Sequence, residues 1–220
     1  MAGNMNVLVL SDNPLMLKVG KPIFERRQDV KYCFTDSDAK NPKLDHKHIV
    51  KEFDLVISLH CKKIFPKELY SKVRCVNIHP GYNPYNRGIY PHVWSIINKY
   101  PAGATIHEID GTIDAGPIIA RSEVIPSHND TSQTLYYKVF VEELRLLRVH
   151  LDMIIDGTYQ TFPCSFEGNY NSMEDFKKLC DIDPSKVGRF QEFYDLMRAL
   201  SFGKFKNAHI GETYFKMQIL

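Results

Sequence analysis

The stretch Asp54-Leu55-Val56-Ile57-Ser58-Leu59-His60 is a short apolar run with a polar residue at each end. A run of this length is typical of a buried strand and is far shorter than a membrane span. Val7-Leu8-Val9-Leu10 before it and Cys75-Val76-Asn77-Ile78-His79 after it have the same character. Because stretches with helical spacing separate these runs, the chain is predicted to be an α/β protein with a Rossmann-like, mostly parallel sheet.

The other predicted elements first continue this alternation and then change it. From Gly103 onward the pattern becomes strand, Asp110-Gly111 turn and strand, before a long helix that Thr131 caps and Gly157 stops. The predicted elements are a helix from Pro14 to about Arg27, a strand over Lys31–Thr35, helices over Leu44–Phe53 and near Lys67–Lys72, strands over Ala104–Ile109 and Pro117–Ile125, and a helix from Thr131 to Asp156.

The composition changes after Gly157, so residues 1–157 are predicted to form the main domain and residues 158–220 a small helical and β-hairpin extension. Helices are predicted from Ser172 and over Ser185–Leu200, and a hairpin over residues 204–219. A lone hairpin is marginal in water, so the extension must pack against something. The second helix carries one apolar side, which favours either a small core or a subunit interface; we predict a dimer interface. That side comprises Val187, Phe190, Phe193, Tyr194, Met197 and Leu200.

The composition also limits the classes of function. The 220 residues carry a net charge of only +2, with scattered basic residues, so no nucleic-acid partner is expected. The sequence shows no secretory-signal pattern and no apolar window of the roughly 18 residues that a membrane span needs, so a cytoplasmic protein is expected. The five cysteines lack a C-x-x-C spacing, which favours reduced thiols over disulfides or a zinc site.

Two polar side chains lie together at the end of the predicted strand Cys75–His79. Side chains alternate along a strand, so Val76 and Ile78 face one way while Asn77 and His79 face the other. Pro80-Gly81 ends the strand directly after them. In open α/β sheets, ligands bind at the carboxyl ends of the strands. Asn77 and His79 are therefore candidate catalytic residues.

A second candidate lies in the turn Asp110-Gly111-Thr112-Ile113-Asp114-Ala115-Gly116-Pro117. Two aspartates among glycines are usual in a tight turn, and a structural role alone accounts for them. The same turn can also return to the strand edge that carries His79. A carboxylate beside that imidazole would raise its pKa and accept a proton from a nucleophile.

The runs NIHPGYNPYNRGIYP (residues 77–91) and GATIHEIDGTIDAGPII (residues 103–119) resemble the formyltransferases that use 10-formyltetrahydrofolate. The resemblance extends from the first strand to about Gly157. SLHCKKIFP (residues 58–66) and residues 183–210 are most similar to enzymes that formylate dTDP-linked amino-dideoxysugars. The resemblance implies a homodimeric transferase of surface-polysaccharide synthesis, such as that of O-antigen. Its acceptor amine would be at C-3 or C-4, with the C-4 amine of a dideoxyglucose preferred.

The resemblance also implies roles for the candidate residues. An amine attacks the formyl carbon directly, and protonated His79 and the Asn77 amide donate to the developing oxyanion. Asp114 keeps His79 charged and receives the proton of the amine. No metal and no covalent intermediate are expected.

The binding residues follow from the same resemblance. The pterin of the folate is expected to contact His60, Ile64, Phe65, Pro66, Gly111, Thr112 and Ile113. The nucleotide-sugar is expected to contact Pro80, Gly81, Tyr82, Asn83, Tyr85 and Arg87. Arg87 is either a bidentate partner of the diphosphate or an ordinary exposed arginine. Phe166 or Tyr170 is a candidate for stacking on the thymine.

Other assignments remain open at this point. A glycinamide ribonucleotide enzyme has about the right length, but Gly81 replaces its usual serine. Methionyl-tRNA formyltransferases and formyltetrahydrofolate hydrolases carry further domains that the sequence does not show. A non-catalytic nucleotide-sugar binding protein would have a degenerate site. A metal-dependent hydrolase would use His60, His79 and His107, which lack close ligand spacing.

Overall fold

The computed structural model describes residues 5–36, 45–164 and 168–217. Its strands are β1 (Met5–Ser11), β2 (Val30–Asp36), β3 (Leu55–Leu59), β4 (Arg74–His79), β5 (Arg87–Gly88), β6 (Ala102–Glu108), β7 (Ile118–Val124), β8 (Tyr170–Asn171), β9 (Ala208–Ile210) and β10 (Thr213–Phe215). Its helices are α1 (Pro14–Phe24), α2 (His46–Glu52), α3 (Lys67–Tyr70), α4 (Pro91–Asn98), α5 (Ser132–Asp156), α6 (Met173–Cys180) and α7 (Phe190–Leu200).

A six-stranded sheet occupies the centre, in the order β2-β1-β3-β4-β6-β7. Neighbours among β1 to β4 are parallel, whereas β6 is antiparallel to β4 and β7 is antiparallel to β6. The predicted mostly parallel α/β sheet is confirmed. Because β1, β3 and β4 run in the same direction, the loops that follow them meet at one edge of the sheet.

Apolar side chains cover both faces of the sheet. On one face, Val76 and Ile78 of β4 belong to the same buried cluster as Phe24 of α1 and Leu147 of α5. On the other face, Cys75 packs in a second cluster with residues of α2 and α3. The two clusters follow strand alternation and make a three-layer sandwich, which holds the strand ends in fixed positions.

Most predicted elements lie where the sequence placed them, with shifted ends. Thr131 accepts a hydrogen bond from the Thr134 backbone N–H and caps α5, as predicted. The helix predicted from Ser185 begins only at Phe190, because Asp183 accepts from the backbone N–H and hydroxyl of Ser185 and holds a turn there. Helix α4 was not predicted. The first residue of the predicted Leu44–Phe53 helix and the end of the predicted hairpin lie outside the described residues.

The extension after Gly157 is tied to the main sheet by buried polar contacts. Arg198 of α7 is 5% exposed and donates to the Asp130 carbonyl oxygen at 2.8 Å and to the Asp195 carboxylate. Lys99, which follows α4, also binds Asp195. The apolar side of α7 divides in two: Leu200 is buried, whereas Phe190 is 84% exposed. The boundary between residues 157 and 158 stays a prediction.

Gly157 ends α5 in the left-handed region, with φ +67°. A Cβ added there would lie 2.6 Å from the Nη1 atom of Arg74, whose guanidinium donates to the Ile155 carbonyl. We expect Gly157→Ala to lower the free energy of unfolding by about 1–2 kcal/mol, measured by urea denaturation. Gly211 has φ +54° and open space around its Cβ position, so Gly211→Ala should cost less. Equal costs would exclude a contribution from Arg74.

Candidate active site

A cavity of about 550 Å³ lies over the carboxyl ends of β1, β3 and β4. Three segments reach it from these strands, namely residues 12–14, residues 58–65 and residues 77–80. The turn 111–114 closes it from the side, and residues of α4, α5 and the C-terminal segment form the rest of its wall. The predicted ligand edge of the sheet is therefore a real concave site.

Asn77, His79 and Asp114 converge in this cavity. The Asn77 side-chain amide donates to Oδ1 of Asp114 at 3.2 Å, and Nδ1 of His79 lies 3.5 Å from the same oxygen. Asn77 and His79 are 7% and 5% exposed, so the Asp114 carboxylate is held against two desolvated polar groups. The three side chains that the sequence singled out form one cluster.

His107 is a fourth member of this cluster. Its Nδ1 lies 2.8 Å from the Glu108 carbonyl oxygen, which only accepts, so Nδ1 carries the proton. The bare Nε2 then accepts from the Asn77 amide at 3.2 Å. Both N–H bonds of Asn77 are thus engaged, and its Oδ1 atom is buried without a partner among the described residues. His107 belongs to β6, directly opposite Asn77, a pairing that strand alternation alone does not reveal.

Asp114 and His79 have different charge states at neutral pH. Burial lowers the pKa of His79 to about 4, although the neighbouring Asp114 carboxylate opposes that change. Burial alone would raise the pKa of Asp114, but His79 and the Gly88 N–H outweigh it, so that the pKa is lowered. At neutral pH the free protein therefore holds an ionised Asp114 beside a neutral His79. The expectation that Asp114 keeps His79 charged is wrong for this state, because the desolvation of the imidazole is the larger effect.

Asp114 occupies a strained position that its neighbours hold in place. Its backbone has φ +47°, in the left-handed region that few non-glycine residues adopt. The Asn83 amide donates to the Asp114 carbonyl at 2.8 Å, and the Gly88 backbone N–H donates to Oδ2 at 3.1 Å. Arg87 donates to the adjacent Ile113 carbonyl at 3.2 Å. The segment 83–88 therefore fixes the turn that carries the carboxylate.

This arrangement changes the roles expected for several predicted substrate contacts. Asn83 is completely buried, so it supports Asp114 and cannot reach a ligand in the cavity. Tyr82 lies under the Arg121 guanidinium, and Tyr85 stacks on Tyr100 with ring centroids 5.0 Å apart. None of Gly81, Tyr82, Tyr85 and Arg87 is among the described residues that line the cavity, whereas Pro80 is.

The predicted pterin residues occupy one half of the cavity. Ile64, which is 75% exposed, and the buried Phe65 line it from the loop after β3. Residues 111–113 line it from the facing turn. Pro66 does not line it, because it stands at the start of α3, outside the cavity wall. This half presents apolar side chains beside exposed backbone, which suits a flat ring that forms hydrogen bonds.

Most of the other half of the cavity was not predicted from the sequence; the predicted contacts that line it are His60, expected at the pterin, and Tyr170, expected at the thymine. His60 lies there with Nδ1 2.8 Å from Oε2 of Glu143, a carboxylate of α5 with no exposed surface. The Asn13 amide donates to the Tyr136 hydroxyl at 2.7 Å. His92 is neutral, because burial lowers its pKa to about 3. Phe202, Phe205, Asn207 and Tyr170 complete this wall. Phe166 lies outside the described residues.

The three histidines considered as metal ligands face two different carboxylates. His60 pairs with Glu143, whereas His79 and His107 face Asp114. Within the described ranges, no group of three or more His, Cys, Asp or Glu side chains is arranged to hold a metal ion. None of the five cysteines, all within the described residues, forms a disulfide. No helix in the described part of the chain is long and apolar enough to cross a membrane.

Sequence-family comparison matches residues 7–150 to the formyl transferase family and residues 175–217 to the N-formyltransferase dimerization C-terminal domain. The first match covers all but the first two residues of the six-stranded sheet and most of α5. The chain belongs to the formyl transferase family.

Individual relatives agree with this family. The dTDP-4-amino-4,6-dideoxyglucose formyltransferase of Mycobacterium tuberculosis is 46% identical over 160 residues, which are 73% of this chain and 68% of the relative. The solved sugar N-formyltransferase from Shewanella sp FDAARGOS_354 is 37% identical, with a TM-score of 0.92 over 98% of this chain and 99% of that one. The formyltransferase PseJ from Anoxybacillus kamchatkensis, solved in complex with UDP-4,6-dideoxy-4-formamido-L-AltNAc and tetrahydrofolate, is 27% identical, with a TM-score of 0.66 over 79% and 88%.

Gly81 sets the position of His79 by leaving it room. A Cβ at residue 81 would lie 2.5 Å from Nε2 of His79, which is buried and cannot move aside freely. We expect Gly81→Ala to displace the imidazole and lower kcat/KM by roughly 10²-fold, since a misplacement of about 1 Å has that effect. The assay is formyl transfer under steady-state conditions, and the same substitution at Gly211, outside the cavity, is the control. An unchanged kcat/KM for Gly81→Ala would contradict this placement.

Proposed function

We propose that this chain transfers a formyl group from 10-formyltetrahydrofolate to the amino group of a dTDP-linked amino-dideoxysugar. The preferred acceptor is dTDP-4-amino-4,6-dideoxyglucose, formylated in the cytoplasm for O-antigen or another surface polysaccharide. The observation that carries the proposal is the cluster of Asn77, His79 and Asp114 inside a cavity at the strand edge. The 46% identical Mycobacterium tuberculosis relative, named for that acceptor, supports the choice of sugar.

The two halves of the cavity suit two substrates. The apolar half at Ile64, Phe65 and residues 111–113 would take the pterin of the folate, whose ring edge can bond to backbone groups of the turn. The half around Asn13, Tyr136 and His92 would take the amino sugar. Tyr170, 46% exposed on the cavity wall, stays a candidate for stacking on the thymine. The formyl carbon would then lie between the halves, beside His79.

The transfer itself needs no group beyond these side chains. The acceptor nitrogen attacks the formyl carbon, and negative charge develops on the formyl oxygen. Asn77 would stabilise this oxygen by exchanging its 3.2 Å contact with His107 for a bond to the oxyanion. The proton released by the nitrogen passes toward Asp114, directly or through water, and on to the folate nitrogen that leaves.

His79 enters this step as a neutral imidazole, since burial keeps its pKa near 4 in the free protein. An anion that forms beside it favours its charged form and raises that pKa. The imidazole therefore becomes cationic only as the oxyanion appears, by taking up the proton that the attacking nitrogen releases toward the pair of Asp114 and His79, before that proton reaches the leaving nitrogen. Stabilisation that arises only in the transition state accelerates the reaction, whereas equal stabilisation of the substrate would not.

We also propose that the extension forms a homodimer. Val187 is 94% exposed and Phe190 is 84% exposed at the start of α7, within the stretch that matches the dimerization domain. Large apolar side chains with so much exposed surface in one segment mark an association surface. A partner chain would cover the part of the predicted apolar side that the chain itself leaves uncovered.

The function is tested by incubating the purified protein with 10-formyltetrahydrofolate and a panel of acceptors, followed by mass spectrometry. The panel contains dTDP sugars with the amine at C-3 or C-4, in gluco and galacto forms, and glycinamide ribonucleotide. We expect the dTDP-4-amino-4,6-dideoxyglucose to gain the mass of one formyl group fastest. If no nucleotide-sugar gains that mass, the proposal fails. Preferential formylation of glycinamide ribonucleotide would instead identify that compound as the acceptor.

The roles of the cluster are tested by Asn77→Ala, His79→Ala and Asp114→Ala. Each variant should lower kcat at least about 10²-fold, because each removes a donor or charge from the reacting centre. His128 is exposed and does not line the cavity, so His128→Ala serves as the control. Circular dichroism checks that the variants stay folded. Wild-type turnover in His79→Ala would remove this residue from the mechanism.

The dimer is tested by the double variant Val187→Asp and Phe190→Asp, examined by analytical ultracentrifugation. Two charges on the association surface should shift the wild-type dimer to monomer at micromolar concentration, because a buried unpaired carboxylate is costly. Val141 of α5 is 64% exposed in another part of the surface, so Val141→Asp is the matched control. A double variant that stays dimeric would place the interface elsewhere.

A further inference from the structure

His60 lies beside His79 at the strand edge. In the parallel register Ser58 pairs with Asn77 and Leu59 pairs with Ile78, so His60 is the next position, level with His79. The His60 backbone N–H donates to the Ile78 carbonyl at 3.1 Å and continues the ladder. Adjacent strands are about 4.8 Å apart, so the two backbones are close neighbours.

The two side chains nevertheless leave on opposite faces of the sheet. Simple alternation would put His60 on the same face as His79. Its backbone is instead left-handed, with φ +54°, and its side chain reaches Glu143 and Tyr136 on α5. Such strain costs on the order of 1–3 kcal/mol, persists only where neighbours hold it, and concentrates at functional sites.

Glu143 fixes the imidazole of His60 in one orientation. Its carboxylate has no exposed surface and accepts from the Nδ1–H of His60 at 2.8 Å. Nε2 is then the atom of His60 with a free electron pair, on a side chain that lines the cavity and is 14% exposed. A buried carboxylate that orients a histidine and stabilises its charged form is the arrangement of general-base pairs in hydrolases.

The acceptor chemistry requires a base. An alkyl amine is an ammonium ion at neutral pH, and in that form its nitrogen has no electron pair with which to attack. Asp114 is a poor proton acceptor for an ammonium ion because its pKa is lowered, and the low pKa of His79 has the same consequence. The Asn77, His79 and Asp114 cluster therefore does not readily supply this first deprotonation.

We propose that His60, oriented by Glu143, is a second catalytic residue that deprotonates the ammonium form of the acceptor before attack. This inference rests on the proposed function. One N–H bond of the ammonium breaks and its electron pair stays on nitrogen, while an N–H bond forms at Nε2. The resulting imidazolium faces the Glu143 carboxylate, and its proton passes to water after the product leaves.

The surroundings of His60 suit this role. Burial alone would lower the pKa of His60, but the Glu143 carboxylate outweighs burial and raises it, which brings the imidazole closer in basicity to an amine. The groups that face it from each neighbouring element are Glu143 and Tyr136 of α5, Asp12 after β1, Lys62 in its own loop, His79 of β4 and His92 of α4.

His60→Gln tests the proposal through the pH dependence of kcat/KM. The variant cannot take up the proton, so we expect a loss of roughly 10²-fold at pH 7. The loss should shrink steadily as the pH approaches the pKa of the acceptor amine, because a growing fraction of the acceptor is then already unprotonated in solution. Exposed His128 gives the control His128→Gln, which should keep the wild-type profile. A loss that is the same at every pH, or no loss, would overturn the proposal.

Glu143→Gln keeps an acceptor for Nδ1–H but removes the negative charge. Because that charge raises the pKa of His60, the acidic limb of the pH profile should move to lower pH in this variant. An unmoved limb would show that Glu143 has only a structural role and would contradict the proposal.

His60→Gly provides a variant that should fold, because glycine adopts a left-handed backbone without strain. Added imidazole should raise the activity of this variant at least tenfold at pH 7, whereas 1,3-dimethylimidazolium, which has no nitrogen that can take up a proton, should not. Failure of imidazole to restore activity would count against proton transfer. The wild-type protein is assayed first: absence of any sugar formylation would reject the proposed function itself, whereas active wild type with normal His60 variants would reject only this inference.

Discussion

The site depends on the desolvated carboxylate of Asp114, whose negative charge must be stabilised by neighbouring groups. A buried charge is costly unless hydrogen bonds and neighbouring positive groups replace the water it has lost. Asp114 obtains this compensation from the Asn77 amide on β4, from the Gly88 backbone N–H and from the His79 imidazole 3.5 Å away, so strands and loops distant in sequence are fixed around it. The left-handed backbone of Asp114 is tolerated for the same reason. The nearby His79 imidazole is neutral in the free protein, and in the proposed mechanism it becomes charged when a second negative charge forms.

Part of the fold and part of the candidate site could be predicted from the sequence, and the parts that could not be predicted have physical causes. Apolar runs gave the strands, and alternation placed Asn77 and His79 together, because both are local properties of the backbone. Asp114 required family resemblance, since a turn does not reveal which edge it returns to. His60 departs from alternation through one dihedral angle that the sequence does not encode locally. Glu143 could have been identified from the sequence as a candidate, because it is a charged residue between Val139 and Leu147 on the buried side of α5.

The C-terminal segment is more than an attachment in this chain. Phe202 packs against His92 and Tyr136 in the cavity, with ring centroids 6.0 and 5.4 Å apart, and Ser132 at the start of α5 donates to the Ser201 carbonyl. The same segment follows α7, whose exposed end we propose as the dimer surface. The proposed dimer surface and the cavity wall are therefore joined through α7 and the packed ring of Phe202.

The left-handed backbone at His60 directs its side chain to the face of the sheet opposite His79, so the site has two separate sides. Under the proposed function, one side of the sheet edge holds the groups that act on the formyl carbon, and the other side, built by α4, α5 and the C-terminal segment, faces the acceptor. The hydrogen bonds and ion pairs that Asn77 and Asp114 form with other described residues involve none of the acceptor-side aromatic side chains. Lineages that descend from such a chain can exchange one amino sugar for another by changing a few side chains, while the one-carbon chemistry passes on intact.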